Sequence, residues 1–281
     1  MFGQEAPLFN SERTLVMGVI NTTPDSFSDG GINFNHDDAI STGLKMIADG
    51  ADILDIGGES TRPGSSFVDV QEELSRVMPV IKGIMQENRD CVVSIDTRRR
   101  LVAEAAIKEG VRIINDVTGF RHDPTLVDFG REAGTGMIIM HMLGTPRDMQ
   151  TNINYLNFPQ DIHDFFVERI NELETRGIEP DRIVVDPGIG FGKTFDHNLI
   201  LLNRIDFFST LNKPILIGAS RKAFLGKILN EPDPMKRGVG TLATVAMSVM
   251  KGASIVRVHD VLPAVQMCRV TEAILRETVE P

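Results

Sequence analysis

Eight short apolar runs in this sequence end in groups that can ionise or hydrogen-bond, and its chemistry is expected at those ends. The groups are Asn21; Glu59, Thr61 and Arg62; Asp96; Asn115 and Asp116; His141; Asp186; Ser220, Arg221 and Lys222; and Arg257 with His259. Asp96 closes VVSID and Asp186 closes IVVD, so each carboxylate emerges from apolar surroundings and needs donors or a cation beside it. Asn115 adds an amide that both donates and accepts. Such a set suits the edge of a flat heterocycle carrying N–H groups and a carbonyl, with Met140 as a soft surface for the ring face. Arg62, Lys222, Arg257 and His259 come from three separate stretches and suit a phosphate or diphosphate. The segment NTTPDSFSDGG adds Asn21, Asp25 and Asp29, hard oxygen donors that beside a diphosphate suit Mg2+. Its Gly30–Gly31 end reads as the hinge of a lid, and GGESTRPGSS reads as a second mobile loop.

These groups can act together only on a scaffold that brings eight run ends to one place. The runs are LVMGVIN (15–21), DILDIGG (52–58), CVVSID (91–96), RIINDV (112–117), GMIIMH (136–141), RIVVDPG (182–188), PILIGAS (214–220) and SIVRVHD (254–260). They are rich in Ile and Val and continuous in apolarity, the pattern of strands buried on both faces of a parallel sheet. Helical spacing fills the intervals 38–49, 70–87, 100–109, 125–133, 162–176, 240–250 and 262–275. Several of these stop beside a glycine. One strand falls about every 35 residues, the length of a single βα unit. The fold class is therefore α/β, and the architecture expected is a (β/α)8 TIM barrel forming one domain over 1–281. The rival, a doubly wound open sheet, needs a glycine-rich turn after the first strand, and NTTPDSFSDGG is not one. Residues 1–13 are expected to be a loose N-terminal segment.

The chain of 281 residues carries 39 acidic and 29 basic residues, a net charge of -10. That balance disfavours a nucleic-acid partner, and with no Trp and one Tyr there is little surface for stacking along a strand. No run approaches the roughly 18 apolar residues of a membrane span, and no secretory signal is visible at the start. Cys91 and Cys268 cannot form a disulfide framework, so a reducing cytoplasm is the expected compartment. DPGIGFGKT imitates a phosphate-binding loop, but Pro187 stands where its first glycine is required.

MGVINTTPDSFSDGG, DIGGESTRPG, SIDT, INDVTGF, MHMLGTPRDMQ, DPGIGFGKT, GASRKAFLGKI and VRVHDV, in this order from about residue 15 to residue 275, resemble the dihydropteroate synthase family. The resemblance implies a TIM barrel, reached separately above, and a transferase of folate biosynthesis. A 7,8-dihydropterin bearing a hydroxymethyl diphosphate would condense with 4-aminobenzoate, releasing diphosphate. By motif position, Asp96, Asn115, Asp186 and Lys222 would hold the pterin, with Met140 lining its pocket. Asn21, Thr61, Arg257 and His259 would meet the diphosphate, with Mg2+ alongside Asn21. Phe27, Asp29, Arg62 and Pro63 would belong to two closing loops. Phe191, Ser220 and Lys222 would lie near the aminobenzoate. Asp96, Lys222, Arg257, Phe27 and Asp29 are the expected catalytic group. The family habit implies a homodimer and competition by sulfonamides. The stretches TGFRHDP and NINYLNF carry little of the family's signature.

Two rivals share the pterin-binding architecture. A pterin-dependent methyltransferase domain should lack SRK and RVH, and both are present. A non-catalytic pterin-binding barrel predicts losses in the first two loops, and both motifs are intact.

Overall fold

The computed structural model describes residues 8–9, 11–23, 35–62, 64–65 and 67–279. The first half of the chain runs β1 (Leu15–Asn21), α1 (His36–Ala48), β2 (Ile53–Gly57), α2 (Val70–Glu87), β3 (Val92–Asp96), α3 (Arg100–Lys108), β4 (Ile113–Asp116) and α4 (Thr125–Ala133). The second half runs β5 (Gly136–Met140), α5 (Gln160–Thr175), β6 (Ile183–Asp186), α6 (Phe195–Asn203), β7 (Leu216–Ile217), α7 (Ala223–Leu229), α8 (Gly238–Met250), β8 (Ile255–Val258) and α9 (Val261–Arg276). The strands are all parallel, in the order β6-β5-β4-β3-β2-β1-β8-β7. A parallel bridge between Val185 and Ile215 brings the two edges together, with Val185 N–H donating to the Pro214 carbonyl at 3.0 Å. The chain is a TIM barrel, as its alternating pattern predicts.

The continuous Ile/Val runs become strands because both of their faces are covered. Successive side chains point to opposite faces. Ile20, Leu54, Ile56, Val93, Ile95 and Ile114 therefore face outward and share one core with the surrounding helices. The alternate set, Leu15, Met17, Ile53, Ile113, Ile138, Val184, Leu216 and Ile255, fills the bottom of the lumen. Phe9 joins that inner cluster at 4% exposure. Gly136 makes room for it, since a Cβ there would stand 2.7 Å from the Phe9 ring. The expectation of a loose segment over 1–13 is corrected at its described end: Leu8 and Phe9 are packed, and Arg13 pairs with Asp52. Apolar side chains find a ready socket at the open bottom of a barrel.

Helix starts follow local chemistry. The Asn35 side chain accepts from Asp37 N–H, and that of Asp69 from Glu72 N–H. Two helices, α6 and α7, lie outside the intervals read from periodicity. The α6 helix buries only Asn198, Leu201 and Leu202, and a Thr194–His197 capping box starts it. The α7 helix has seven residues, too few for a visible stripe. Among the described residues no helix is long and apolar enough to cross a membrane.

Candidate active site

Two residues beyond the apolar bottom layer, the lumen becomes polar. On the same inward face Ile53 is followed by Asp55, Ile113 by Asn115, Ile138 by Met140, Val184 by Asp186 and Ile255 by Arg257. Arg257 organises this layer. Its Nε donates to Asp55 Oδ2 at 2.6 Å, and its Nη2 pairs with Asp96 Oδ2 at 3.1 Å. Asn115 Nδ2 donates to the same Asp55 oxygen at 3.0 Å. Asp186 Oδ1 accepts from Gly188 N–H at 2.8 Å.

Burial sets the electrostatics of this cluster. It pushes the Asp96 carboxyl well above the usual carboxylate range, with the Asp55 charge adding to the rise and Arg257 opposing it. Asp186 is also pushed up by burial, against the Gly188 N–H, Arg257 and Lys222. Lys222 is pushed down to about 8, first by burial and then by Arg257. Burial works against the Arg257 charge too, but the Asp55 and Asp96 carboxylates outweigh it and hold the guanidinium above its ordinary value. The layer thus holds one secure cation and, in Asp96 and Asp186, two carboxyls that gain from a proton or a donor.

Beside this cluster the Lys222 ammonium stands 4.0 Å from the Phe191 ring centroid. Its stem crosses Gly190, where a Cβ would approach within 3.2 Å of Lys222 Cδ. Met140, Val117, Met142 and Met149 form a small apolar wall on which Phe191 packs. On the other side Ser220 Oγ lies 3.0 Å from His259 Nδ1 and also accepts from His259 backbone N–H at 3.3 Å. Burial, with Arg221 and Arg257 nearby, pushes the imidazole down to about 3, so it is neutral at pH 7. With the Nε2–H tautomer, Ser220 Oγ donates to Nδ1 and the ring keeps Nε2–H as a donor. Arg221 is committed to Asp260, at 2.6 Å.

Loop two lies at the same end of the barrel. Gly64 N–H donates to the Pro146 carbonyl at 3.1 Å, so the loop leans toward the one after β5. Thr61 is half-buried and Arg62 exposed on this loop, while Asn21 ends β1. Among the described residues no hydrogen bond or ion pair joins these three to the Arg257 cluster. Phe27, Asp29 and Pro63 lie outside the described residues, as does Asp25.

Residues 17–259 match the family model for pterin binding enzymes. The chain is 42% identical to the dihydropteroate synthase of Synechocystis sp., over 94% of this chain and 91% of that protein. Its fold superposes on Yersinia pestis dihydropteroate synthase in a sulfonamide drug complex with a TM-score of 0.89, at 39% identity, covering 94% of this chain and 95% of that one. Xanthomonas albilineans dihydropteroate synthase with 4-aminobenzoic acid gives 0.88, also at 39% identity, covering 94% of each.

The chain belongs to the dihydropteroate synthase family.

Three features of this dihydropteroate synthase fold escape a reading confined to strand ends. Asp55 sits inside ILDIG and is fully buried; its signal is a lone charge in phase with Ile53 on an inward face. Asp116, by contrast, ends its strand but is out of phase with Asn115. It serves the turn, accepting from Thr118 N–H at 2.7 Å and Phe120 N–H at 2.9 Å. The base of loop two is also pinned. Glu59 pairs with Arg98 at 3.0 Å and Arg99 at 3.2 Å, Arg99 pairs with the buried Glu73, and Arg99 Nη2 donates to the Val68 carbonyl at 2.5 Å. Phe67 lies under the Arg98 guanidinium at 4.2 Å. A loop read as mobile from its glycines is therefore anchored at its base to the turn that follows Asp96. Lys193, the third feature, is buried beside His141.

Proposed function

We propose that this chain condenses (7,8-dihydropterin-6-yl)methyl diphosphate with 4-aminobenzoate to give 7,8-dihydropteroate and diphosphate. The observation that carries this reading is the Asp55–Arg257–Asp96 cluster beside Asn115, Asp186 and the Lys222–Phe191 pair. Asp96, Asn115 and Asp186 match the N–H and carbonyl edge of a pterin. The raised carboxyls favour a ligand that brings hydrogen-bond donors into a partly dry pocket. Met140 and the methionines around it supply the apolar wall for the ring.

The bond that breaks joins the methylene carbon to the diphosphate oxygen, and its electron pair leaves with the oxygen. The aminobenzoate nitrogen forms the new bond to that carbon and then gives up a proton to solvent. No strong base is required, because the pterin ring delocalises charge at the methylene and an aromatic amine is a competent nucleophile. The chain's task is to favour the departing anion and keep water from the carbon. The His259 Nε2–H, Arg257, Thr61 and Arg62 serve the first need. Phe27, Asp29 and Pro63, on the two loops, serve the second. Phe191, Ser220 and Lys222 border the aminobenzoate.

Mg2+ fits here as a shared ion. Asn21 offers one neutral oxygen, and no group of three His, Cys, Asp or Glu side chains able to hold a metal stands among the described residues. Asn21 and the diphosphate oxygens would hold it between them, and when bound it offsets charge on the leaving group. We place the enzyme in the cytoplasm. As a homodimer it would bury the exposed Val239, Met250, Val270 and Ile274 of α8 and α9.

The test mixes the purified chain with the pterin diphosphate, 4-aminobenzoate and Mg2+, and follows diphosphate and dihydropteroate together. Equal release of both, with sulfonamide competing against aminobenzoate, is expected. Pterin binding without product would return the chain to a binding role.

A further inference from the structure

The segment 188–193, between β6 and α6, has positive φ at Gly188, Gly190 and Gly192, at 69, 85 and 65°. That alternation turns its peptide groups away from any ladder, and buried groups must find other partners. Three successive carbonyls are each met by a side chain. Gln150 Nε2 donates to Gly190 O at 2.8 Å, Lys193 Nζ to Phe191 O at 3.0 Å, and Tyr155 Oη to Gly192 O at 2.8 Å. Gly190 N–H donates to Asn198 Oδ1 at 2.6 Å. Tyr155 belongs to NINYLNF, the stretch with little family signature, so that stretch has a structural task here.

Lys193 is the unusual member. It is 3% exposed, and no carboxylate lies within ion-pair distance among the described residues. Its ammonium reaches back to the end of β5, 2.8 Å from His141 Nδ1 and 3.0 Å from the His141 carbonyl. Burial disfavours the charge on both side chains, and each is pushed well below its usual value. Asp186 favours the Lys193 charge from beyond ion-pair distance without offsetting the burial, so a lysine here is costly where Met would fill the space. The reaction proposed above uses no base at this position. What the lysine accomplishes is geometric: it ties the Phe191 carbonyl to β5 while the Phe191 ring faces Lys222.

We propose that Lys193 is a positioning residue that clamps the β6–α6 loop to the end of β5 and so fixes the Phe191 ring at the aminobenzoate end of the site. The assignment of that end rests on the proposed function; the clamp itself does not. Two readouts separate them. The first is the steady-state split between substrates. Lys193→Met should raise the KM for 4-aminobenzoate about tenfold, the scale of one or two lost hydrogen bonds, and leave the Kd of the pterin diphosphate within about twofold. Lys193→Gln keeps an N–H donor and should recover part of that loss. Tyr155→Phe, which removes a neighbouring tie on the same loop, should move the same KM in the same direction by less.

The second readout is hydrogen exchange of the 188–193 amides, which needs no turnover. Exchange there should quicken in Lys193→Met while β5 and β6 keep their protection. Unchanged loop exchange overturns the clamp. So does a parallel loss in both substrates that tracks lost folded protein, or a Gln variant no better than Met. If Lys193→Met does not fold, the Gln and Tyr155→Phe variants decide: no selective aminobenzoate effect in either overturns the proposal. If the wild-type chain makes no dihydropteroate, the proposed function fails, and the exchange experiment still tests the clamp.

Discussion

The lower and upper halves of the barrel lumen are made by the same strands, two residues apart, yet they obey different rules. Below, Met17, Ile53, Ile113, Ile138, Val184, Leu216 and Ile255 close around Phe9 and exclude water. Above, Asp55, Asn115, Asp186 and Arg257 occupy the corresponding inward positions. Neither half can be exchanged for the other. The lower layer supplies burial, and burial forces Asp96, Asp186 and Lys222 away from their ordinary protonation behaviour. The site's chemistry is therefore a consequence of the plug beneath it as well as of the groups that line it.

The largest effect should come from breaking the upper layer at its centre. Arg257→Ala leaves Asp55 buried without its cation, and removing one partner of a buried pair costs about 3–5 kcal/mol of stability. Affinity for the pterin diphosphate should fall as well, by about 1.5–3 kcal/mol, the scale of a hydrogen bond to a charged group. Denaturant unfolding and ligand titration measure the two losses. Adding Asp55→Asn should restore much of the stability and little of the affinity; recovery of both together would mean that the guanidinium serves only the fold.

Breaking the lower layer should give a comparable stability loss with a different signature. Phe9→Ala removes the plug and should cost about 3 kcal/mol, within the range for buried Phe→Ala changes. The folded fraction should bind the pterin diphosphate with nearly wild-type affinity. A selective loss of affinity, with stability intact, would contradict the division between the layers.

A third effect appears only with pH. Lys222 titrates at about 8 in the fold against an ordinary 10.5. Between those values the unfolded chain binds more protons, so this group makes stability rise as pH rises from about 8 to about 10.5. Over the same interval the site loses a positive charge, and affinity for the pterin diphosphate should fall. Asp96, whose carboxyl is raised in the fold, changes stability with the opposite sign below its own folded value. Lys222→Met isolates the lysine's share: both alkaline trends should flatten in that variant, and persistence of either would assign it to another group.

Much of this was legible in the residues because strand parity and strand ends are visible in sequence. The continuous apolar runs located every strand, and the strand-end groups Asp96, Asn115, Asp186 and Arg257 share one inward face of the barrel, with Arg257, expected among the cations, paired instead to Asp55 and Asp96. Asp55 was hidden because a strand end is easier to see than a phase: only its two-residue spacing from Ile53 betrays it. Asp116 shows the converse, a strand-end acid that points out of the lumen to satisfy a turn. Lys193, Tyr155 and Gln150 were beyond reach for another reason. Their partners are backbone carbonyls from 2 to 40 residues away, and a carbonyl leaves no trace in residue identity. Phe9 was missed because it precedes the first strand and finds its socket only once the barrel closes.

The smallest expected effect lies on the boundary between the layers. Ser94 is inward, fully buried and paired in register with Asp55. Among the described residues neither its hydroxyl nor Asp55 Oδ1 has a hydrogen-bond partner. A buried hydroxyl without a partner costs stability, whereas a methyl of similar size does not. Ser94→Ala should therefore be neutral or stabilise by up to about 1 kcal/mol, with pterin diphosphate affinity unchanged. This removes a polar atom from the upper edge of the apolar layer and sharpens the boundary. A loss of more than about 1 kcal/mol, on the scale of a hydrogen bond broken, would show that the hydroxyl serves Asp55. Ser94 would then belong to the upper layer with its partner Asp55, and the division between burial and chemistry on β3 would fall between Val92 and Ser94.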